Sequence, residues 1–323
     1  MKLISRALLV ALLASLAVIP NVSAARAPMV LGVARYAHKS WSQVEAHKRT
    51  YGRYPKIWTV WSDWGGPSNH ANFPGSFLNQ LKAQKIVPMI NWEPLNPSKQ
   101  GDCAHWALDN IILGHHDTYI RKWAQAAKNY GGKILLRFAH EMNGYWFIWG
   151  AGRCDNTPAK FVSAWRRVWN IFRGVGGVGA TNVKFVWSPY RKDFSAFFPG
   201  DSYVDYLGTT AFSWGPKSWQ SMVQSLSTSI AALGALPSSK PIIAAEVGAA
   251  PYNACAKCKR DWILNGYPAI YNKWWRLVAV VYFDVDMRFD NQPNWRLNAP
   301  TNAIGAYGKI VNDPRFWGFI AAN

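Results

Sequence analysis

Acidic residues are scarce in this chain. Its 323 residues include 17 Asp and Glu against 36 Lys and Arg, a formal net charge of +19. Only four acids are glutamates: Glu45, Glu93, Glu141 and Glu246. Such a charge favours anionic surroundings. The basic residues form no run or stripe along the sequence, however, so a nucleic-acid partner is not expected and the plain reading is a soluble basic protein. Long apolar runs are confined to the N-terminus, which leaves no transmembrane helix further on and no stable membrane insertion. No Gly-rich phosphate loop follows the first strand-like run, where the chain reads GVARYAHKSW, which argues against a dinucleotide fold. A GxSxG nucleophile elbow is also absent. Cysteine is limited to four residues. Disorder is excluded by a hydrophobic content of 50%.

The N-terminus carries Lys2 and Arg6, an apolar stretch from Ala7 to Ile19, and Val22-Ser23-Ala24. This pattern predicts a secretory leader over residues 1–24, cleaved after Ala24 or after Ala27, and a secreted or periplasmic product of about 299 residues. The first cysteine, Cys103, is far from the cleavage site, which argues against a lipid anchor. In an exported chain four cysteines imply two disulfides. Three connectivities are possible; the expected one pairs Cys255 with Cys258 locally and joins Cys103 to Cys154 between two loops. The alternative for the CxxC, a redox or half-metal site, lacks a second CxxC or a nearby His pair. His115, His116 and Asp117 precede a helical pattern, and Asp117 reads as its N-cap. Neither a metal nor a cofactor is expected.

Eight strand-like runs punctuate the chain, read as alternating with helical patterns. They are Met29–Tyr36, Lys56–Trp64, Ile86–Pro94, the stretch opening at Ile134-Leu135-Leu136, Val183–Tyr190, Val204–Phe212, Pro241–Gly248 and Leu277–Val285. Helical stretches are read over Ser40–Tyr51, Phe77–Lys85, His116–Tyr130, from Pro158, over Ser218–Leu233, within Cys258–Trp274 and over Thr301–Val311. Tyr119, Trp123 and Ala127 make one buried stripe, and Phe161, Trp165, Val168 and Phe172 another. Strands too apolar to face water, in eight βα units, predict an α/β fold with a single (β/α)8 TIM barrel over residues 25–323. A doubly wound open sheet is the weaker alternative.

In such a barrel chemistry sits at the C-terminal ends of the strands. Glu93, Glu141 and Glu246 end the third, fourth and seventh runs, whereas Glu45 lies in a polar helical stretch. Two carboxyls facing each other across a barrel mouth are the minimal equipment for glycoside hydrolysis. A structural ion pair is the competing reading, weighted equally for Glu93 and lightly for the other two. Trp64, Trp92, Trp146, Trp149 and Trp214 follow or end strands and are expected to line a sugar cleft. Asp284, at the end of the eighth run, is expected to reach a sugar hydroxyl. The Trp-rich stretch KILLRFAHEMNGYWFIWG, residues 133–150, condenses all of this: a buried strand, then His140-Glu141, then indoles.

RFAHEMNGYWFIWG resembles the acid/base signature of glycoside hydrolase family 26, retaining endo-β-glycanases of the large (β/α)8 clan. WSDW at 61–64, WEP at 92–94, AWRRVW at 164–169, FVWSP at 185–189, FPGDSYVDYLG at 198–208 and KPIIAAEVG at 240–248 follow in the same order. The resemblance implies that Glu141 is the proton donor and later general base, that Glu246 is the nucleophile, and that His140 orients the acid and contacts substrate. It departs at Phe212, where the family usually has a Tyr that hydrogen-bonds the nucleophile, and at Phe138-Ala139, where mannan-cleaving members carry Pro and a bulky residue. The expectation is therefore a monomeric, exported endo-β-glycanase of β-linked polysaccharide. β-1,4-Mannan is the first substrate and mixed-linkage β-1,3-1,4-glucan the second; the reading from another class is a non-catalytic polysaccharide-binding protein of an exopolysaccharide system.

Overall fold

The computed structural model describes residues 26–36, 39–67, 71–215, 218–252 and 254–320; the expected leader lies outside them. Strands β1 (Val30–Ala34), β2 (Ile57–Asp63), β3 (Val87–Glu93), β4 (Ile134–Phe138), β5 (Val183–Trp187), β6 (Tyr206–Ser213), β7 (Ile242–Ala249) and β8 (Leu277–Phe283) form a closed barrel in sequence order. Every pair is parallel, and β8 closes on β1. This is the (β/α)8 barrel that the eight apolar runs predict.

Pleat sorts each strand into two cores, because successive side chains point to opposite faces. Val30, Ile57, Met89, Leu135, Val186, Ile243 and Val281 fill the barrel interior. Leu31, Trp58, Ile90, Leu136, Phe185 and Val280 pack outward against the helices. Both faces are buried, so the strands read as continuous apolar runs.

The described helices are α1 (Trp41–Tyr51), α2 (Gly75–Ala83), α3 (Cys103–Trp106), α4 (Leu108–Ile112), α5 (Asp117–Tyr130), α6 (Pro158–Arg173), α7 (Met222–Gly234), α8 (Cys258–Lys273) and α9 (Asn302–Val311). Their starts follow from capping chemistry. Thr157 accepts from the Lys160 N–H ahead of Pro158, and Ser221 with Gln224 makes a reciprocal capping box. The α6 face of Phe161, Trp165, Val168 and Phe172 is fully buried, each such side chain contributing roughly 1.5–3 kcal/mol.

Two local expectations are corrected. No α-helix joins β5 to β6; two 3-10 turns, Ser195–Phe197 and Asp201–Tyr203, fill the connection, where Pro199 and Gly200 interrupt any helical register. Asp117 is the first residue of α5 rather than its cap. His116 holds the cap position, and the Asp117 carboxylate instead receives Arg167 Nε at 2.8 Å and Nη2 at 2.7 Å. The expected cysteine pairing is present. Cys103–Cys154 ties the loop after β3 to the loop after β4, and Cys255–Cys258 closes the turn leading into α8.

Candidate active site

Glu141 stands just beyond β4, and the backbone there is bent to put it over the mouth. Ala139 and Glu141 both adopt left-handed φ values, 43° and 54°. Non-glycine residues occupy that region at a cost of order 1–3 kcal/mol, and such strain concentrates at functional sites. Three bonds hold the turn: Ala139 N–H to the Trp92 carbonyl at 3.1 Å, Glu141 N–H to the Ser188 carbonyl at 2.7 Å, and Trp149 Nε1–H to the His140 carbonyl at 2.8 Å. Asn143 clamps the neighbouring loop, donating to the carbonyls of Tyr190 and Lys192 and accepting the Tyr190 N–H. Gly144 is required by its neighbour, since a Cβ there would meet the Trp146 ring at 2.4 Å.

The Glu141 carboxyl is gripped on both oxygens. Thr210 Oγ1 donates to Oε1 at 2.6 Å and Trp146 Nε1 to Oε2 at 3.0 Å. Thr210 on β6 is in direct register with Glu246 on β7, so one hydroxyl connects the two acids' strands. Glu246 receives Arg137 Nη1 at 2.8 Å and Asn91 Nδ2 at 3.1 Å, both on the same oxygen, Oε1. Arg137 has no solvent exposure and also donates to Asn91 Oδ1 at 3.3 Å.

These environments differ in their consequences for protons. Burial, and next the charge of Glu246, raise the Glu141 pKa above the usual carboxylate range, with Arg137, Thr210 and Trp146 opposing. Glu93 is raised well above that range by burial and then by Asp63, its register partner on β2. Burial holds His140 well below its ordinary value, reinforced by Arg137. His140 Nε2 approaches Glu93 Oε1 at 3.9 Å, so burial acts against charge on both partners of this contact.

Glu93, His140, Glu141, Trp146 and Glu246 come together as the sequence predicts. Three of the five tryptophans behave differently. Trp92 follows the inward Asn91 by one residue and so points outward, with no exposure, against Tyr119, Trp123 and Phe172. Trp64 lies buried against Trp92 and Phe138, and Trp149 stacks beneath Phe147. These three are wall and floor, and offer no free face to a sugar ring. Trp146 and Trp214 stay 43% and 45% exposed, which leaves their indoles open. Asp284 is committed elsewhere, to Arg35 at 2.7 Å and to the Leu297 N–H at 2.7 Å, so it stitches β8 to the loop after β1. Phe212 packs on Trp295, Phe283 and Trp214 and supplies no donor. Asn91, Arg137 and Thr210 are the site residues that sequence reasoning passes over. Strand parity was the available signal: Glu93 facing inward implies Asn91, and the strand register carries this to Arg137. Among the described residues, no cluster of His, Cys, Asp and Glu has metal-site geometry.

The fold is shared with solved structures. A family 26 β-mannanase from Bacteroides ovatus, BoMan26A, superposes with a TM-score of 0.66 over 91% of both chains at 16% identity. The catalytic domain of a Bacillus sp. JAMB-750 family 26 endo-β-1,4-mannanase gives 0.65 over 90% of this chain and 87% of its own at 20% identity. In sequence, Endoglucanase H of Acetivibrio thermocellus is 29% identical over 287 residues, 84% of this chain and 29% of that protein. Mannan endo-1,4-beta-mannosidase A and B of Caldalkalibacillus mannanilyticus is 26% identical over 198 residues, 58% of this chain and 36% of that protein. The chain thus spans about a third of the length of these two relatives. The sequence pattern of glycosyl hydrolase family 26 matches residues 95–307, from just after β3 into α9 and across both Glu141 and Glu246. The chain belongs to glycosyl hydrolase family 26.

Proposed function

We propose that this protein is an exported, monomeric, retaining endo-β-glycanase that cleaves β-1,4-mannan. The observation that carries the reading is the unequal pair at the mouth. Glu141 is buried, with its pKa raised, and Glu246 is met by two donors on one oxygen. Glu141 then delivers a proton to the leaving glycosidic oxygen while Glu246 attacks the anomeric carbon. In the second half Glu141 takes a proton from water, the water oxygen bonds the anomeric carbon, and Glu246 leaves as carboxylate. Trp146 fixes the acid's far oxygen and offers its exposed face to the sugar.

Names of relatives support the substrate: several are mannan endo-1,4-beta-mannosidases. A second reading, β-1,3-1,4-glucan, is favoured by the coverage of Endoglucanase H, which matches 84% of this chain. Reducing-end release from mannan, glucomannan and mixed-linkage β-glucan, with wild type and Glu246→Ala side by side, tests both. Release from mannan that vanishes in the variant supports the proposal. Release from β-glucan alone moves the substrate, and binding without any turnover refutes the enzymatic role. Proton NMR of the first-formed product should show the β-anomer; the α-anomer would remove the nucleophile role from Glu246.

A further inference from the structure

The lysines that look scattered along the sequence are gathered in space at the end of the barrel opposite the carboxyl pair. Lys56 immediately precedes β2, Lys85 lies two residues before β3, and Lys133 immediately precedes β4. Parallel topology brings the N-terminal ends of all strands to one face, so these three side chains converge there. With Lys82 they line a cavity of about 200 Å³ whose remaining lining includes Tyr130 and Phe319, and no Asp or Glu. Lys82 is anchored by the Tyr130 carbonyl at 2.8 Å, and Lys56 lies 4.6 Å over the Phe319 ring. None of the four ammonium groups has a carboxylate within ion-pair distance among the described residues. Burial, and then the charges of Arg53 and Lys85, hold Lys56 below its ordinary pKa.

A second cavity, of about 480 Å³, shares Lys56 and Phe319 with the first and adds Lys48, Arg53 and Trp317. Here the cations are also held in place: Arg53 lies 3.7 Å over Trp317, and Lys48 lies 4.6 Å over Tyr54. The two cavities share a wall and gather Lys48, Arg53, Lys56, Lys82, Lys85 and Lys133 along one groove, with no Asp or Glu among the lining residues. Cations crowded without counter-charges cost free energy that a bound anion relieves. The recessed walls favour anionic groups that project from a chain and repeat along it, rather than a flat lipid surface, which would touch only the rim.

We propose that this groove binds an acidic polysaccharide through carboxylates borne on successive sugars, at a site remote from the mouth and independent of hydrolysis there. The probe is polygalacturonate, followed by affinity gel electrophoresis of the full chain at low salt. Wild type should be retarded, and Lys85→Glu with Lys133→Glu should weaken binding at least tenfold. A charge-matched double variant away from the groove, Lys99→Glu with Lys122→Glu, should change it less than twofold. Lys85→Gln with Lys133→Gln repeats the test should the charge reversal prevent folding, with circular dichroism checking each variant. Equal weakening by both pairs would reduce the effect to net charge and overturn the site. Absence of retardation would overturn it too, as would sedimentation with phosphatidylglycerol vesicles in place of polygalacturonate binding.

Discussion

Arg137→Met is the most informative substitution in the mouth. It keeps most of the buried stem and removes the guanidinium that donates to Glu246 Oε1 at 2.8 Å. In the proposed sequence Glu246 leaves as a carboxylate when the glycosyl-enzyme is hydrolysed, and the Arg137 donor stabilises the charge that develops there. A hydrogen bond to a charged group contributes about 1.5–3 kcal/mol. At 1.36 kcal/mol per decade, that is roughly a 10- to 150-fold fall in the rate of the second step. Asn91 still donates, which sets the loss nearer the lower end. The same bond restrains the nucleophile, so the first step does not accelerate to compensate. The variant should accumulate covalent intermediate, seen in quenched turnover as a mass increase of the intact chain equal to the glycone oligosaccharide left on Glu246. Denaturant titration must accompany the kinetics, because removing one partner of a buried ion pair costs about 3–5 kcal/mol of stability. A kcat within threefold of wild type, in a folded variant with no covalent adduct, would refute the role given to Arg137.

Trp92→Ala should lower stability by about 3–5 kcal/mol, measured by denaturant midpoint, and leave the KM of the folded fraction unchanged, since its ring faces the helices. Trp146→Ala should do the reverse, lowering kcat/KM at least tenfold with little stability change; a swap of these phenotypes would invert the assignment of wall and platform. Replacing Cys103 and Cys154 with Ser opens a link across 51 residues and should cost about 4 kcal/mol by loop entropy, read as a lower urea midpoint. Glu93 tests the pH dependence. Its folded-state pKa is raised by burial and then Asp63, so the unfolded chain loses this proton first as pH rises. Its contribution is fully present below the ordinary glutamate value of 4.5 and is lost as pH rises toward the folded value. Glu93→Gln should therefore gain stability relative to wild type between pH 5 and 8, and a constant difference across that range would contradict it.

The barrel was legible because burial on both faces writes each strand as an unbroken apolar run. That same property hid the direction of individual side chains. In IVPMINWEP nothing distinguishes Asn91 and Glu93, which face the mouth, from Trp92, which faces the helices, except parity counted from a known inward residue. Tryptophan at a strand end was read as a sugar platform, yet Trp64 and Trp149 serve as packing under the loops. Glu141 was legible through the resemblance carried by its own segment. Thr210, which grips it, was not, because a lone threonine on a different strand has no local signature and acquires its role only through barrel register. The β5–β6 connection was misread as helical because alternation elsewhere made a helix the default. The lysine groove was invisible for the complementary reason: Lys56, Lys85 and Lys133 are far apart in sequence and become neighbours only when parallel strands begin on one face.

The gathering of glutamates has a practical consequence for spectroscopy. With four glutamates in the chain, selective 13C labelling of the glutamate side-chain carboxyl carbon yields four carboxyl resonances. Glu45, hydrogen-bonded by Tyr54 in a surface pair, provides the reference signal. The other three belong to the mouth. Each proton step of the proposed reaction can therefore be followed by direct observation at the carboxyl groups assigned to it, with assignment reduced to three single substitutions.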